Sequence, residues 1–176
     1  MAADATAEGE AASRTVRRAY WFYSDLVIVH VSGEETDGRF CLLEFLQPPG
    51  EWTPLHVHKR SDETHFVLEG EATLHHPGET VFVGPGECAY SPMNVPHTRH
   101  VTSAEPVRAL VLNSPAGFDK FVAAAGEPAA KLSLPPAERP APDIERLAAV
   151  AAEHDIEMLG PPGQLPQLAD PGRSEP

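Results

Sequence analysis

Cysteines, basic residues and long apolar runs are all scarce in this chain. Cys41 and Cys88 are the only cysteines among 176 residues, which leaves no disulfide framework to hold a fold together. The expectation is two thiols buried in strands of a chain that works in the reducing cytoplasm. Lys and Arg number 13 against 26 Asp and Glu, a formal charge of −13. Such a surface repels phosphate backbones and anionic lipid heads, so neither nucleic acid nor a membrane is an expected partner. No apolar run approaches the ~20 residues a membrane-crossing helix needs. The opening M-A-A-D-A-T-A-E-G-E is acidic and has no apolar core of the kind a secretory signal requires. No internal repeat is visible. With 41% hydrophobic residues, the chain is long enough for one sizeable core.

The informative stretch is Gly50 to Gly70, G-E-W-T-P-L-H-V-H-K-R-S-D-E-T-H-F-V-L-E-G, which carries His56, His58 and Glu63 close together. Its flanks, F-C-L-L-E-F-L and E-T-H-F-V-L-E, are apolar, aromatic and β-branched and are bounded by Pro and Gly, so both read as strands. Side chains alternate faces along a strand, so His56 and His58 point the same way. A short turn over Lys59 to Ser61 then brings Glu63 back beside them. Two imidazoles and a carboxylate on one side of a sheet suit a divalent first-row transition metal.

His-x-His on a strand, taken alone, is more often a pair of solvated or core histidines. The fuller pattern G-x5-H-x-H-x4-E-x6-G is much less common by chance, and it resembles the first motif of the cupin superfamily. The second cupin motif, G-x5-P-x-G-x2-H-x3-N, has a counterpart at Gly86, Pro92, Asn94 and His97, with Asn94 where the family usually has Gly and Val101 where it usually has Asn. The resemblance covers about Phe40 to Asn113. It implies an all-β fold, a small jelly-roll barrel whose interior holds one divalent ion (Fe, Mn, Co, Ni, Cu or Zn), with His97 as fourth ligand beside His56, His58 and Glu63.

In chain order, residues 1–15 read as a disordered leader, since they are small, acidic and unpatterned. Residues 16–115 read as the barrel, with order beginning near Val16. Arg14, Arg17 and Arg18 precede the aromatic run Tyr20 to Tyr23, which net charge turns from a nucleic-acid stripe into a first strand covering the barrel edge. Leu26 to Val31, S-G-E-E-T-D-G and Arg39 to Leu46 read as a hairpin. Short strands then follow at regular spacing with Gly and Pro between them, the pattern of an antiparallel sandwich or barrel. Residues 116–160 read as a C-terminal helical extension on the barrel exterior. It comprises a helix ending at Gly126, a Pro-rich passage from Lys131 to Pro142, a second helix over Asp143 to His154 and an apolar anchor at Ile156 to Leu159. Residues 161–176 read as a loose tail. The extension resembles those of single-domain, quercetin-dioxygenase-like cupins.

Alternation sorts the remaining candidates. With Glu63 inward, His65 and Val67 are inward too, and His65 is placed near the metal. Arg99 and Val101 share the face of His97, which makes Arg99 a candidate for gripping an anionic or enol oxygen. Phe40, Leu42, Val67 and Val101 are the expected apolar lining. Tyr90 is assigned to the core, His75 and His76 to a solvated turn, and His30 to a structural role. The resemblance to quercetin 2,3-dioxygenase implies a metal-dependent dioxygenase acting on a small hydroxylated aromatic or an enolisable ketone. In that reading O₂ is co-substrate, Glu63 is both ligand and base, and Arg99 or His65 steers the substrate. Two other classes stay open: a redox-silent isomerase, cyclase or decarboxylase using the metal as Lewis acid, and a cupin that binds a small molecule without catalysis. A homodimer is expected, formed through the edge strand at Tyr20 to Tyr23.

Overall fold

The computed structural model describes residues 18–138 and 143–168. The expected leader, the start of order near Val16, the end of the Pro-rich passage and the last residues of the tail lie outside them.

The architecture is two β-sheets face to face. One contains β1 (Arg18–Phe22), β2 (Asp25–Val31), β3 (Cys41–Gln47), β5 (Asp62–Glu69), β8 (Cys88–Ser91), β10 (Val107–Ser114) and β11 (Glu127–Pro128), in the order β11-β1-β2-β3-β10-β5-β8. The other is assembled from β12-β4 (Ile156–Pro162 with Pro54–His58) and β7-β6-β9 (Glu79–Val83, Ala72–His76 and Thr98–Val101). Isolated bridges at His56–His97 and Trp52–His100 join these two pieces between β4 and β9. Helices α1 (Phe118–Ala125) and α2 (Ile144–Glu153) complete the described chain. The Asp143 side chain caps α2 by accepting from the Arg146 N–H at 3.0 Å. Among the described residues, no helix is long and apolar enough to cross a membrane.

Two-residue periodicity builds the sheets. Along β3, Cys41, Leu43, Phe45 and Gln47 are buried while Leu42, Glu44 and Leu46 are not, and β10 repeats this with Val107, Ala109, Val111 and Asn113 inside. Two buried clusters result. Phe22, Val27, Leu43, Phe45 and Val111 pack with Phe121, Val122, Leu147, Ala151 and Ile156 from the C-terminal segment. Val67, Ala72, Leu74, Val83, Ala89, Val101, Val107 and Ala109 form the second.

Turn chemistry fixes the ends of the ligand-bearing strands. Gly70 has φ +78° after β5, and a Cβ there would meet the Pro106 carbonyl oxygen at 2.8 Å, so both backbone conformation and space require glycine. Asn94 has φ 63°. Of the residues with a side chain, Asn is among those that tolerate the left-handed region best, so the exchange of Gly for Asn in the second motif preserves the turn rather than degrading it.

Several expectations are corrected. The extension is not confined to the exterior: β12 pairs with β4, and α1 and α2 supply core side chains. The edge of β1 is not free, because β11 pairs with it at Tyr20 and Trp21. Cys88 is exposed, as is Tyr90 at 54%, because β8 is short and its Cys88 and Tyr90 face outward. His76 is buried, since β6 runs on to it and alternation places it with Ala72 and Leu74.

Candidate metal centre

β4 supplies His56 and His58, β5 supplies Glu63, and His97 lies immediately before β9, paired to His56 through both backbone N–H groups at 2.9 and 3.1 Å. One donor atom from each of the four lies within 4.8 Å of all the others. His58, Glu63 and His97 are each at most 3% exposed.

The hydrogen bonds orient the rings. His56 Nδ1 donates to the Pro54 carbonyl at 2.8 Å and His97 Nδ1 to the Val95 carbonyl at 3.1 Å. Carbonyls only accept, so each Nδ1 carries the proton and each Nε2 lone pair is free for a cation. Yet His97 Nε2 lies 3.2 Å from Glu63 Oε2, and His58 Nε2, buried and without a hydrogen-bond partner, lies 3.5 Å from Glu63 Oε1. The His97 lone pair facing a carboxylate at this distance needs positive charge between them, and the unpartnered His58 Nε2 can turn a lone pair to the same place. The donor set therefore fits a divalent metal ion, and these four side chains can hold one.

Electrostatics agree. Burial, reinforced by the neighbouring His97 and His58, drives the His56 pKa well below 6.5, and burial also lowers that of His58. For Glu63, burial acts upward, but His65, His58 and His97 outweigh it and hold the carboxyl well below 4.5. Neutral imidazole and ionised carboxylate are the forms that bind metals.

A second layer surrounds Glu63. Asn113 Nδ2 donates to Oε1 at 3.2 Å, and His65 Nε2 lies 2.7 Å from Oε2. Arg99 Nη1 lies 2.7 Å from His65 Nδ1. Arginine can only donate, so Nδ1 accepts and Nε2–H donates to Glu63, giving an Arg99 to His65 to Glu63 chain with one defined tautomer. Burial brings the His65 pKa down to about 4, so His65 stays neutral near pH 7. His76 supports the cluster from behind, 2.8 Å from Ser91 Oγ and with its ring 5.9 Å from that of His97.

Glu63, His65, His56, His97 and Arg99 line one cavity of about 60 Å³, together with Phe22, Phe45, Val111, Phe118, Phe121, Ile156 and Met158. The apolar lining is therefore not the one expected. Leu42 faces outward, and Val67 and Val101 belong to the second core cluster. The wall comes from β1, β3, β10, α1 and β12, with Phe118 also reaching the His58 ring at 5.4 Å. Asp25 and Glu51 line it too and were not singled out in the sequence, and Tyr23, read there as part of an edge strand, also faces the cavity. Asn113 could have been found there, as the inward residue closing the alternation of β10. Asp25 and Glu51 lie at a strand start and in a loop, where no periodicity marks them.

A sandwich of sheets that turns three imidazoles and a carboxylate into its interior forms a cluster that could hold a metal ion. Residues 43–113 match the Cupin domain family. It is 30% identical over 97 residues to quercetin 2,3-dioxygenase of Bacillus subtilis (strain 168), a match covering 54% of this chain and 28% of that protein. The chain thus spans well under half the length of that relative. Among solved structures, it is similar to a Thermus thermophilus protein, TT1209, at 32% identity over 44% of this chain and 74% of the other, with a TM-score of 0.42. It is also similar to KdgF from Halomonas sp., at 18% identity over 55% and 84%, with a TM-score of 0.49.

Proposed function

We propose that this protein is a metal-dependent dioxygenase for a small hydroxylated aromatic or enolisable ketone, with His56, His58, Glu63 and His97 holding the ion. The observation that carries this reading is the buried Glu63 carboxylate, held by His65 and Asn113 at the wall of an apolar cavity. The ion, when bound, supplies Lewis acidity and, if redox-active, a path to O₂. Glu63 takes the proton from the substrate hydroxyl or the carbon beside its carbonyl. His65 keeps Glu63 oriented through its Nε2–H, and Arg99 holds His65 while presenting its remaining N–H groups to the substrate oxygen. Phe45, Phe118 and Phe121 exclude water and accept a flat apolar ring. A cavity of about 60 Å³ is far below the roughly 300–1,000 Å³ of drug-sized pockets, which favours a compact diketone or catechol over a flavonol. The likeness to quercetin 2,3-dioxygenase supports oxygen chemistry. The redox-silent isomerase class is favoured by a different observation, the carboxyl groups of Asp25 and Glu51 on the same cavity wall.

The test is to load metal-free protein separately with Fe²⁺, Mn²⁺, Co²⁺, Ni²⁺, Cu²⁺ and Zn²⁺ and to follow dissolved oxygen with β-diketones, catechols and flavonols. Oxygen uptake is expected with a redox-active ion and the smaller substrates. Turnover without oxygen uptake, or best turnover with Zn²⁺, moves the assignment to the isomerase class.

The same reading takes the protein to be a cytoplasmic homodimer. Free Cys41 and Cys88 accord with a reducing compartment. Since β11 covers the edge of β1, the surface for a second copy is the outer face of the larger sheet, where Phe66, Tyr90 and Leu112 are 40%, 54% and 37% exposed. Light scattering at micromolar concentration is expected to give twice the chain mass, falling to the chain mass in a Phe66→Glu, Leu112→Glu variant. A monomer in the unaltered protein rejects the dimer.

A further inference from the structure

The cavity has a second polar feature away from the four clustered ligands. Asp25 opens β2 and is 4% exposed, and Glu51 sits in the loop before β4, anchored by the Val101 N–H donating to its carbonyl at 2.9 Å. Asp25 Oδ2 accepts from Gln47 Nε2 at 2.9 Å, and Glu51 Oε1 accepts from Ser24 Oγ. The other oxygens, Asp25 Oδ1 and Glu51 Oε2, are buried and have no donor. The two carboxyls line the same cavity, and Ser24, which holds Glu51, is the residue before Asp25, so the pair sits side by side. Two ionised carboxylates in contact inside a protein repel strongly, and one proton between them satisfies both orphaned oxygens.

The groups facing the pair are few. Tyr23, in the β1–β2 turn, is pushed up to about 12, by burial first and then by Glu51 and Asp25. It stays a neutral phenol. Arg99 of β9 lies in the field of Asp25, Glu63 and Glu51, and its Nε is buried without a partner. Gln47 and Ser24 are neutral. Burial, with Glu51 beside it, raises the Asp25 pKa well above 3.8 against the pull of Arg99.

We propose that Asp25 and Glu51 share one proton on the cavity wall and deliver it to an oxygen of the bound substrate, as an acid separate from Glu63. In that step an O–H bond forms on the substrate oxygen and the carboxyl O–H bond breaks. The resulting pair of carboxylates is held beside Arg99 and is reprotonated from solvent, which reaches the pair on its half-exposed side. The acid role rests on the cavity being the substrate site, whereas the shared proton does not. A base at Glu63 and an acid at Asp25–Glu51 would let one cavity move a proton between two atoms of an enolisable carbonyl compound.

Infrared spectroscopy of the metal-loaded protein at pH 7 tests both parts. The expected result is a carboxylic-acid carbonyl band that shifts in D₂O and is lost in Asp25→Asn and in Glu51→Gln. Glu51, being only half-buried, serves where the Asp25 variant does not fold. Metal content should be unchanged in either variant. No such band in the unaltered protein overturns the shared proton. Saturation with acetylacetone is expected to remove the band; a band that persists while acetylacetone is bound overturns the acid role. Loss of metal in the Glu51 variant would place that residue in the metal-holding structure and overturn its separate role, whereas failure of the metal reading itself would show as metal-free unaltered protein.

Discussion

A His58→Ala, His97→Ala double variant is expected to fall from about one bound divalent ion per chain to background, while a His100→Ala variant keeps its metal. The difference follows from where the rings point. His58 and His97 stack 5.5 Å apart, both beside Glu63, whereas His100 faces the other side of β9 and stacks on Trp52 at 4.1 Å. Removing two of four donors leaves His56 and Glu63, too few to hold a first-row ion against exchange with water and buffer. Elemental analysis of the purified proteins reads the result, and equal metal in the double variant and the unaltered protein would remove these residues from the ligand set. Chelation of the unaltered protein should also lower its melting temperature, because an ion that binds only the folded chain stabilises it by mass action. A chelated protein that melts unchanged would mean that nothing is bound there.

Glu63→Gln is expected to lower kcat per bound metal by about 10²–10⁴-fold, the usual contribution of a positioned general base. The substitution preserves shape. The amide oxygen can still accept from His65 Nε2–H, and the amide nitrogen then faces Asn113, whose own amide can turn its unpartnered Oδ1 to accept. What disappears is the ability to take a proton and a negative charge for the ion. Because affinity for metal will fall as well, rates must be normalised to metal measured in the same samples under saturating ion. A normalised kcat within a few-fold of the unaltered enzyme would confine Glu63 to holding metal and reassign the base.

How much of this was legible in the sequence depends on the distance over which each residue acts. His56, His58 and Glu63 sit on two strands joined by a short turn, so period-two alternation was enough to bring them together. The same rule placed His65 beside the cluster and Arg99 on the face of His97. It could not show that Arg99 reaches His65 at 2.7 Å, since that contact depends on how two different sheets face each other. The apolar lining was misread for the same reason. Leu42 belongs to the outward set of β3, and the side chains that do line the cavity come largely from Phe118, Phe121, Ile156 and Met158, beyond the family motifs. Asp25 and Glu51 were invisible because neither lies in a regular pattern; they meet only once the β1–β2 turn and the loop before β4 close on each other. Asn94 was legible as a departure from the family's usual Gly, but its compatibility with the same left-handed backbone shows only in the structure.

The pairing of β12 with β4 has a consequence for how the protein is made. Ile156 lies opposite His58 and Met158 opposite His56, so the strand that flanks two ligands emerges from the ribosome roughly a hundred residues after them, on the order of 5–20 s later at ordinary translation speeds. Until then β4 is an open edge, and the cavity lacks Phe118, Phe121, Ile156 and Met158. A nascent chain at that stage would expose its imidazoles to any passing soft cation and its bare strand to neighbouring chains. Completion of the candidate metal site is thereby tied to the synthesis of β12, and a chain that stops after His97 but before Ile156 would have every candidate ligand and no finished cavity around them.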